Sequence, residues 1–145
     1  MRVIASAFKK DLSLFENLSL HKRAINALGN MGIKPLEISS SFNGEEELSL
    51  LFPVPFPLLG NVEKTQELYE NIKNLFFLNF SQKSILYIRE NKEAFLLFPS
   101  GEREFLGKWK EVSKEVALRE KSFSSFLGRF FITDNCSYLK EEINI

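Results

Sequence analysis

Cysteine occurs once in these 145 residues, as Cys136, and histidine once, as His21. A lone cysteine excludes an intrachain disulfide, and too few cysteines and histidines remain for the usual zinc spacings. Charge of one sign is also missing: 19 basic residues balance 19 acidic ones. That leaves no electrostatic case for binding nucleic acid or an acidic membrane. No long apolar run is present. The opening Met1–Phe8 stretch passes at once into Lys9-Lys10-Asp11, too short for a signal peptide or a membrane span, so a cytoplasmic location is expected. A Gly-rich phosphate loop, a Gly-x-Ser-x-Gly elbow and a His-Glu-x-x-His helix are all missing. Nothing places Cys136 beside His21 as a nucleophile pair. Neither a metal nor a cofactor is expected.

What is abundant is phenylalanine, with 15 residues spread along the chain. The distribution points to an aromatic core, with surplus apolar surface for a partner subunit. Residues 1–145 have the length of one domain with a single core.

Val3 to Phe8 reads as a first strand and Lys9 to Glu16 as a polar connection. Asn17 or Ser19 can cap a helix with the stripe Ala24, Ile25, Leu28 and Met31, stopped by Gly29 and Gly32. Pro35 to Ser41 forms a second strand, and Asn43-Gly44 is the strongest hairpin signal. The third strand carries Glu47 and ends among Pro53, Pro55 and Pro57. Asn61 opens a second helix with the stripe Leu68, Ile72, Leu75 and Phe76. Ser84 to Ile88 and Ala94 to Phe98 are strands joined at Asn91-Lys92. Gly101 to Gly107 reads as a loop, Ser113 as the cap of a short helix through Arg119, and Phe126 to Thr133 as a last strand. This order predicts an α+β fold: a ferredoxin-like βαββαβ sandwich with extra C-terminal strands, its antiparallel sheet covered by helices on one face.

Glu47 is the residue that invites a functional reading. Along its strand Leu48, Leu50 and Phe52 share one face, while Glu47, Ser49 and Leu51 share the other. Leu51 implies that the second face is covered as well. A carboxylate entering a covered strand either ends the strand among solvated neighbours or faces a pocket for a cationic ligand. His21 is in register with the apolar side of helix one, as a boundary histidine with a backbone partner or as a ligand contact. Gln82 satisfies loop backbone groups or contacts a ligand. Trp109 and Phe105 form a core lid or line an aromatic pocket.

Several segments taken together carry a family resemblance. Ser6-Ala7-Phe8 ends strand one, and Asn17-Leu18-Ser19-Leu20-His21-Lys22 follows. Glu47 comes shortly after Gly44, and Gln82-Lys83-Ser84-Ile85-Leu86-Tyr87 follows helix two. Trp109-Lys110-Glu111-Val112-Ser113-Lys114 leads to Phe130-Phe131-Ile132-Thr133-Asp134. The succession resembles the phage-encoded S-adenosylmethionine lyases, formerly called hydrolases, and related bacterial and phage domains. The resemblance implies a ferredoxin-like subunit, a homotrimer, and active sites between subunits. It implies Glu47 as the essential strand glutamate, with Ser6, Ala7 and Phe8 bordering the substrate; Ser49 and Gln82 are further candidate substrate contacts. One departure is visible: no tyrosine just precedes Glu47, and Phe42 is the nearest aromatic.

The implied reaction needs no base. The carboxylate of S-adenosylmethionine attacks its own chain, releasing methylthioadenosine and homoserine lactone, and would deplete the methyl donor in an anti-restriction role. Two other readings remain: a non-catalytic trimeric nucleotide-binding module, and a protein that binds a host factor through its phenylalanines.

Overall fold

The computed structural model of the protein describes residues 1–42, 44–54, 62–120 and 122–134, apart from the side chains of 42 and 62. The turn residue Asn43, Pro55, Pro57, the helix start at Asn61, and the tail with Cys136 lie outside that set.

Among the described residues, eight strands close into an antiparallel barrel: β1 (Arg2–Ala5), β2 (Leu36–Phe42), β3 (Glu45–Pro53), β4 (Ile85–Ile88), β5 (Glu93–Leu97), β6 (Arg103–Val112), β7 (Phe123–Phe126) and β8 (Arg129–Thr133). Around the wall they run β1-β3-β2-β7-β8-β6-β5-β4 and back to β1. The ferredoxin-like sandwich is therefore overturned. Two local differences cause this. The segment read as a loop after Gly101 opens the ten-residue strand β6, and the last strand read over Phe126–Thr133 is β8 preceded by an unexpected strand β7, the two turning at Leu127-Gly128. The added strands complete the circuit between β5 and β2: β6 takes β5, β8 takes β6, β7 takes β8, and β2 takes β7 through Ser39–Ser41. Closure removes the exposed edges that an open sheet has to shield.

Three helices accompany the wall: α1 (Leu14–Asn30), α2 (Val62–Lys73), which runs on into a π-helical turn at Asn74–Asn79, and α3 (Lys114–Glu120). Ser13 caps α1, not Asn17 or Ser19: its hydroxyl accepts from the Glu16 N–H at 3.2 Å and donates to the Glu16 carboxylate. This reciprocal pair satisfies an otherwise orphaned donor and places a negative charge at the helix's positive end. Gly32 ends the helix region with φ of 81°, and the Ile33 N–H returns to the Leu28 carbonyl. The expected cap at Ser113 is present, accepting from the Val116 N–H.

Strand alternation sorts the apolar side chains into two cores. Val3, Ala5, Leu50, Phe52, Ile85 and Tyr87 pack with Ala24 and Leu28 of α1 and with Ile72 and Phe76 of α2 and its extension. Their neighbours in the same strands, Ile4, Leu51, Leu86 and Ile88, pack with Ile38, Ala94, Trp109 and Phe126, and no helix contributes. The first core is thus the outer face under the helices, and the second fills the lumen. A three-ring stack crosses the lumen, with Phe131 parallel to Trp109 at 5.4 Å and to Phe126 at 5.3 Å.

Candidate functional site

Glu47 shares its face of β3 with Ser49 and Leu51, so it points to the lumen side of the wall. It stands near the end of the barrel where β1 finishes and the β2–β3 hairpin turns. Glu46, on the opposite face, is exposed, and Glu45 reaches Lys10 at 3.5 Å. Glu47 itself is half-buried and has no ion pair among the described residues. Burial pushes its carboxyl above the ordinary value, a hydrogen bond with the Ser6 side chain pulls the other way, and repulsion from Glu45 adds to the rise.

Ser6 follows directly on Ala5, the last paired residue of β1, and is buried. Its hydroxyl donates to the Leu48 carbonyl at 2.8 Å and accepts from the Phe8 N–H at 3.0 Å. A serine has one proton to give, so the Leu48 carbonyl and an ionised Glu47 compete for it. A cationic ligand would relieve that competition by supplying Glu47 with donors of its own.

The structure brings some of the other expected site residues near this pair and turns others away from it. Gln82 donates through Nε2 to the Phe8 carbonyl at 2.8 Å and to the Phe80 carbonyl at 3.3 Å, so its amide supports loop backbone. Phe8 is half-buried, with its ring near-perpendicular to His21 at 6.0 Å. Ser49 is buried two residues deeper than Glu47 on the same face. Ala7 is fully enclosed in the outer core, so its side chain packs away from the lumen.

Trp109 and Phe105 do not share a pocket. Trp109 stacks on Phe131 in the lumen, whereas Phe105 meets Phe95, which packs against the outer core. The partner of His21 is not backbone either: Nε2 lies 2.9 Å from Oε1 of Glu37.

Two residues went unnoticed in the sequence. Ser40 lies directly across from Glu47 in the β2–β3 ladder, and its hydroxyl is 3.4 Å from that of Ser124 on β7. The signal was present in the alternation Leu36, Ile38, Ser40, but it needs the hairpin register to connect it with Glu47. Glu47, Ser40 and Ser124 thus form a polar row across three strands, and Ser124 pairs with Phe131 at the aromatic stack.

Two open grooves lie elsewhere. One of about 640 Å³ runs along the end of α1, lined by Asn26, Gly29, Asn30 and Lys34 among others. The second, of about 440 Å³, is lined by Met1, Arg89, Glu90 and Asn91. Neither includes Glu47. No three of the described His, Cys, Asp and Glu side chains gather as a metal site would require. Among the described residues, no helix is long and apolar enough to cross a membrane.

No curated protein matches the chain. Residues 3–134, however, match the S-Adenosylmethionine lyase family over nearly the whole sequence. The chain belongs to the S-adenosylmethionine lyase family.

Proposed function

We propose that the protein cleaves S-adenosylmethionine at the barrel mouth, with Glu47 meeting the cationic end of the substrate. The observation carrying this reading is a half-buried carboxylate inside the mouth, without a cation among the described residues and disfavoured in its charged form by burial. Such a group gains most from a ligand that brings positive charge, and S-adenosylmethionine brings a sulfonium and an ammonium against one carboxylate. Ser6 and Ser40 offer hydroxyls beside it for the remaining ammonium protons.

The chemistry follows from the substrate's own groups. A carboxylate oxygen of the methionine moiety attacks the chain carbon bonded to sulfur. The new C–O bond closes a five-membered lactone, the C–S bond breaks, and its electron pair neutralises the sulfonium. Methylthioadenosine leaves as a neutral thioether, and homoserine lactone keeps the ammonium. No proton moves, so Glu47 acts by holding and orienting, not as a base. Folding the flexible chain so that oxygen, carbon and sulfur align supplies the acceleration, since effective molarities for intramolecular attack reach on the order of 10⁵ M. Opposite charges collapse in the step, so a water-poor mouth favours it.

The active assembly is proposed to be a homotrimer with sites between subunits, and depletion of the methyl donor is its proposed anti-restriction role. Surplus apolar surface supports the assembly: Leu14 and Phe15 open α1 at 67% and 83% exposure. That end of α1 is tied through Asn17 to Lys9, in the segment leading out of Ser6–Phe8. Incubating the purified protein with S-adenosylmethionine and resolving the products by chromatography tests the reading. Lactone appearing before homoserine supports it; homoserine formed directly would point to hydrolysis. Tight binding of the substrate without turnover would reduce the protein to a binding module.

A further inference from the structure

His21 is the one histidine of the chain and sits on α1, not on the barrel. Only 2% of it is exposed. Its Nε2 meets the Glu37 carboxylate at 2.9 Å, which assigns the proton of the neutral ring to Nε2, and Nδ1 has no partner among the described residues. A helix position that served packing alone would be filled more cheaply by leucine or phenylalanine, because a buried polar atom without a partner carries a desolvation cost. The hydrogen bond to Glu37 is therefore what the imidazole adds.

That anchor has a consequence on the other side of the ring. The ring packs at 89° against Phe8. Phe8 is held from two further directions, its N–H by the Ser6 hydroxyl and its carbonyl by Gln82. Ser6 in turn donates to the carbonyl of Leu48, the residue that follows Glu47 on β3, at 2.8 Å. One connected series thus runs Glu37, His21, Phe8, Ser6 and the Leu48 carbonyl, from an exposed carboxylate on the outer face of β2 to the β3 backbone that carries Glu47.

We propose that His21, anchored by Glu37, is a positioning residue that fixes Phe8 and, through Phe8 and Ser6, sets the orientation of Glu47. The inference rests on Glu47 being the group that meets substrate. Glu37 is 61% exposed in its side chain, so replacing it leaves the core intact.

The test uses the full chain and three variants, Glu37→Ala, Glu37→Gln and His21→Phe. Two measurements are made: kcat and KM for S-adenosylmethionine cleavage, and the titration of the Glu47 carboxyl followed by ¹³C NMR. Glu37→Ala and His21→Phe are expected to lower kcat roughly tenfold, the scale of a small misplacement in a site that works by orientation. In both, the Glu47 titration moves to higher pH as the Ser6 hydrogen bond loosens. Glu37→Gln keeps an acceptor for Nε2–H and restores both readouts. An unmoved Glu47 titration in Glu37→Ala overturns the proposal and leaves His21 as packing, whatever happens to the melting temperature. Should His21→Phe fail to fold, Glu37→Ala still decides. A wild-type protein without cleavage, but with a Glu47 titration that answers to Glu37, would retire the enzymatic reading and keep the positioning one.

Discussion

The two ends of the barrel each hold a carboxylate on the lumen side of the wall, and their circumstances are opposite. Glu111 shares its face of β6 with Trp109, pairs with Phe131 in the ladder, and lies toward the β7–β8 turn. It receives two hydrogen bonds from Arg129, at 2.8 and 3.1 Å, which hold its carboxyl below the usual range. Arg129 also lies over the Phe131 ring at 5.3 Å. Glu47, toward the hairpin end, has a serine for company, and burial drives its carboxyl up. One mouth is already neutralised by the protein, whereas at the other Glu47 has no cationic partner among the described residues. The contrast teaches where a cationic substrate gains something: a carboxylate with its own arginine has little left to offer, and a desolvated one without a cation does.

The sharpest way to break this comparison is Glu47→Gln, which keeps shape and removes charge. Cleavage of S-adenosylmethionine should fall by roughly 10²-fold or more, the scale of losing a transition-state electrostatic contact, while the circular dichroism spectrum stays that of the parent. Methylthioadenosine formation at the parental rate would remove Glu47 from the mechanism. Ser6→Ala comes next. It deletes the bond that opposes the rise in the Glu47 carboxyl and leaves the Leu48 carbonyl and Phe8 N–H short of a partner. A loss of about 1–3 kcal/mol in stability is expected from denaturant unfolding, together with a Glu47 titration displaced further upward.

The pH dependence separates the two mouths by sign. Glu47 has a raised value in the folded chain, so its contribution to stability is fully present below its unfolded value and is lost as pH rises through the folded one. Activity runs the other way, because the ionised form is the one that holds a cation: the rate should drop on acidification at a pH above the ordinary carboxylate range. Melting temperatures of Glu47→Gln and the parent should accordingly coincide in acid and diverge toward neutrality, with the variant the more stable. A gap of constant size across that range would mean that burial does not tax the charge.

The facing of the candidate carboxylate could be read from the chain, because strand alternation is local. The alternation Leu50–Phe52 against Glu47–Ser49–Leu51 assigned the two faces of β3, and it holds for the lumen and the outer core alike. Barrel closure could not be read that way. The Gly101–Gly107 stretch resembles a loop in composition, yet Gly107 lies within β6 at φ of 91°, next to the irregular step between Ala94 and Phe95. The β7–β8 turn hides as well, since it places Leu127 at φ of 52°, a conformation leucine seldom signals. Without those two elements the pairing of β2 with β7 and of β5 with β6 has no local trace. Ser40 and Ser124, which closure brings together, were invisible for the same reason.

The smallest effect belongs to the satisfied mouth, and its smallness is informative. Glu111→Gln removes the charge that Arg129 neutralises, but both side chains are about half exposed and solvent screens what they exchange. Cleavage of S-adenosylmethionine should be unchanged, and the melting temperature at neutral pH should move by about a degree or less. What little stability the pair contributes is present above the ordinary carboxylate range and fades as pH falls through the lowered value of Glu111, the reverse of the trend for Glu47. Raising salt should erase the difference between variant and parent. A rate loss in Glu111→Gln comparable to that of Glu47→Gln would mean that the barrel's two ends are coupled through the aromatic stack between them, and the asymmetry of the two mouths would no longer identify the site.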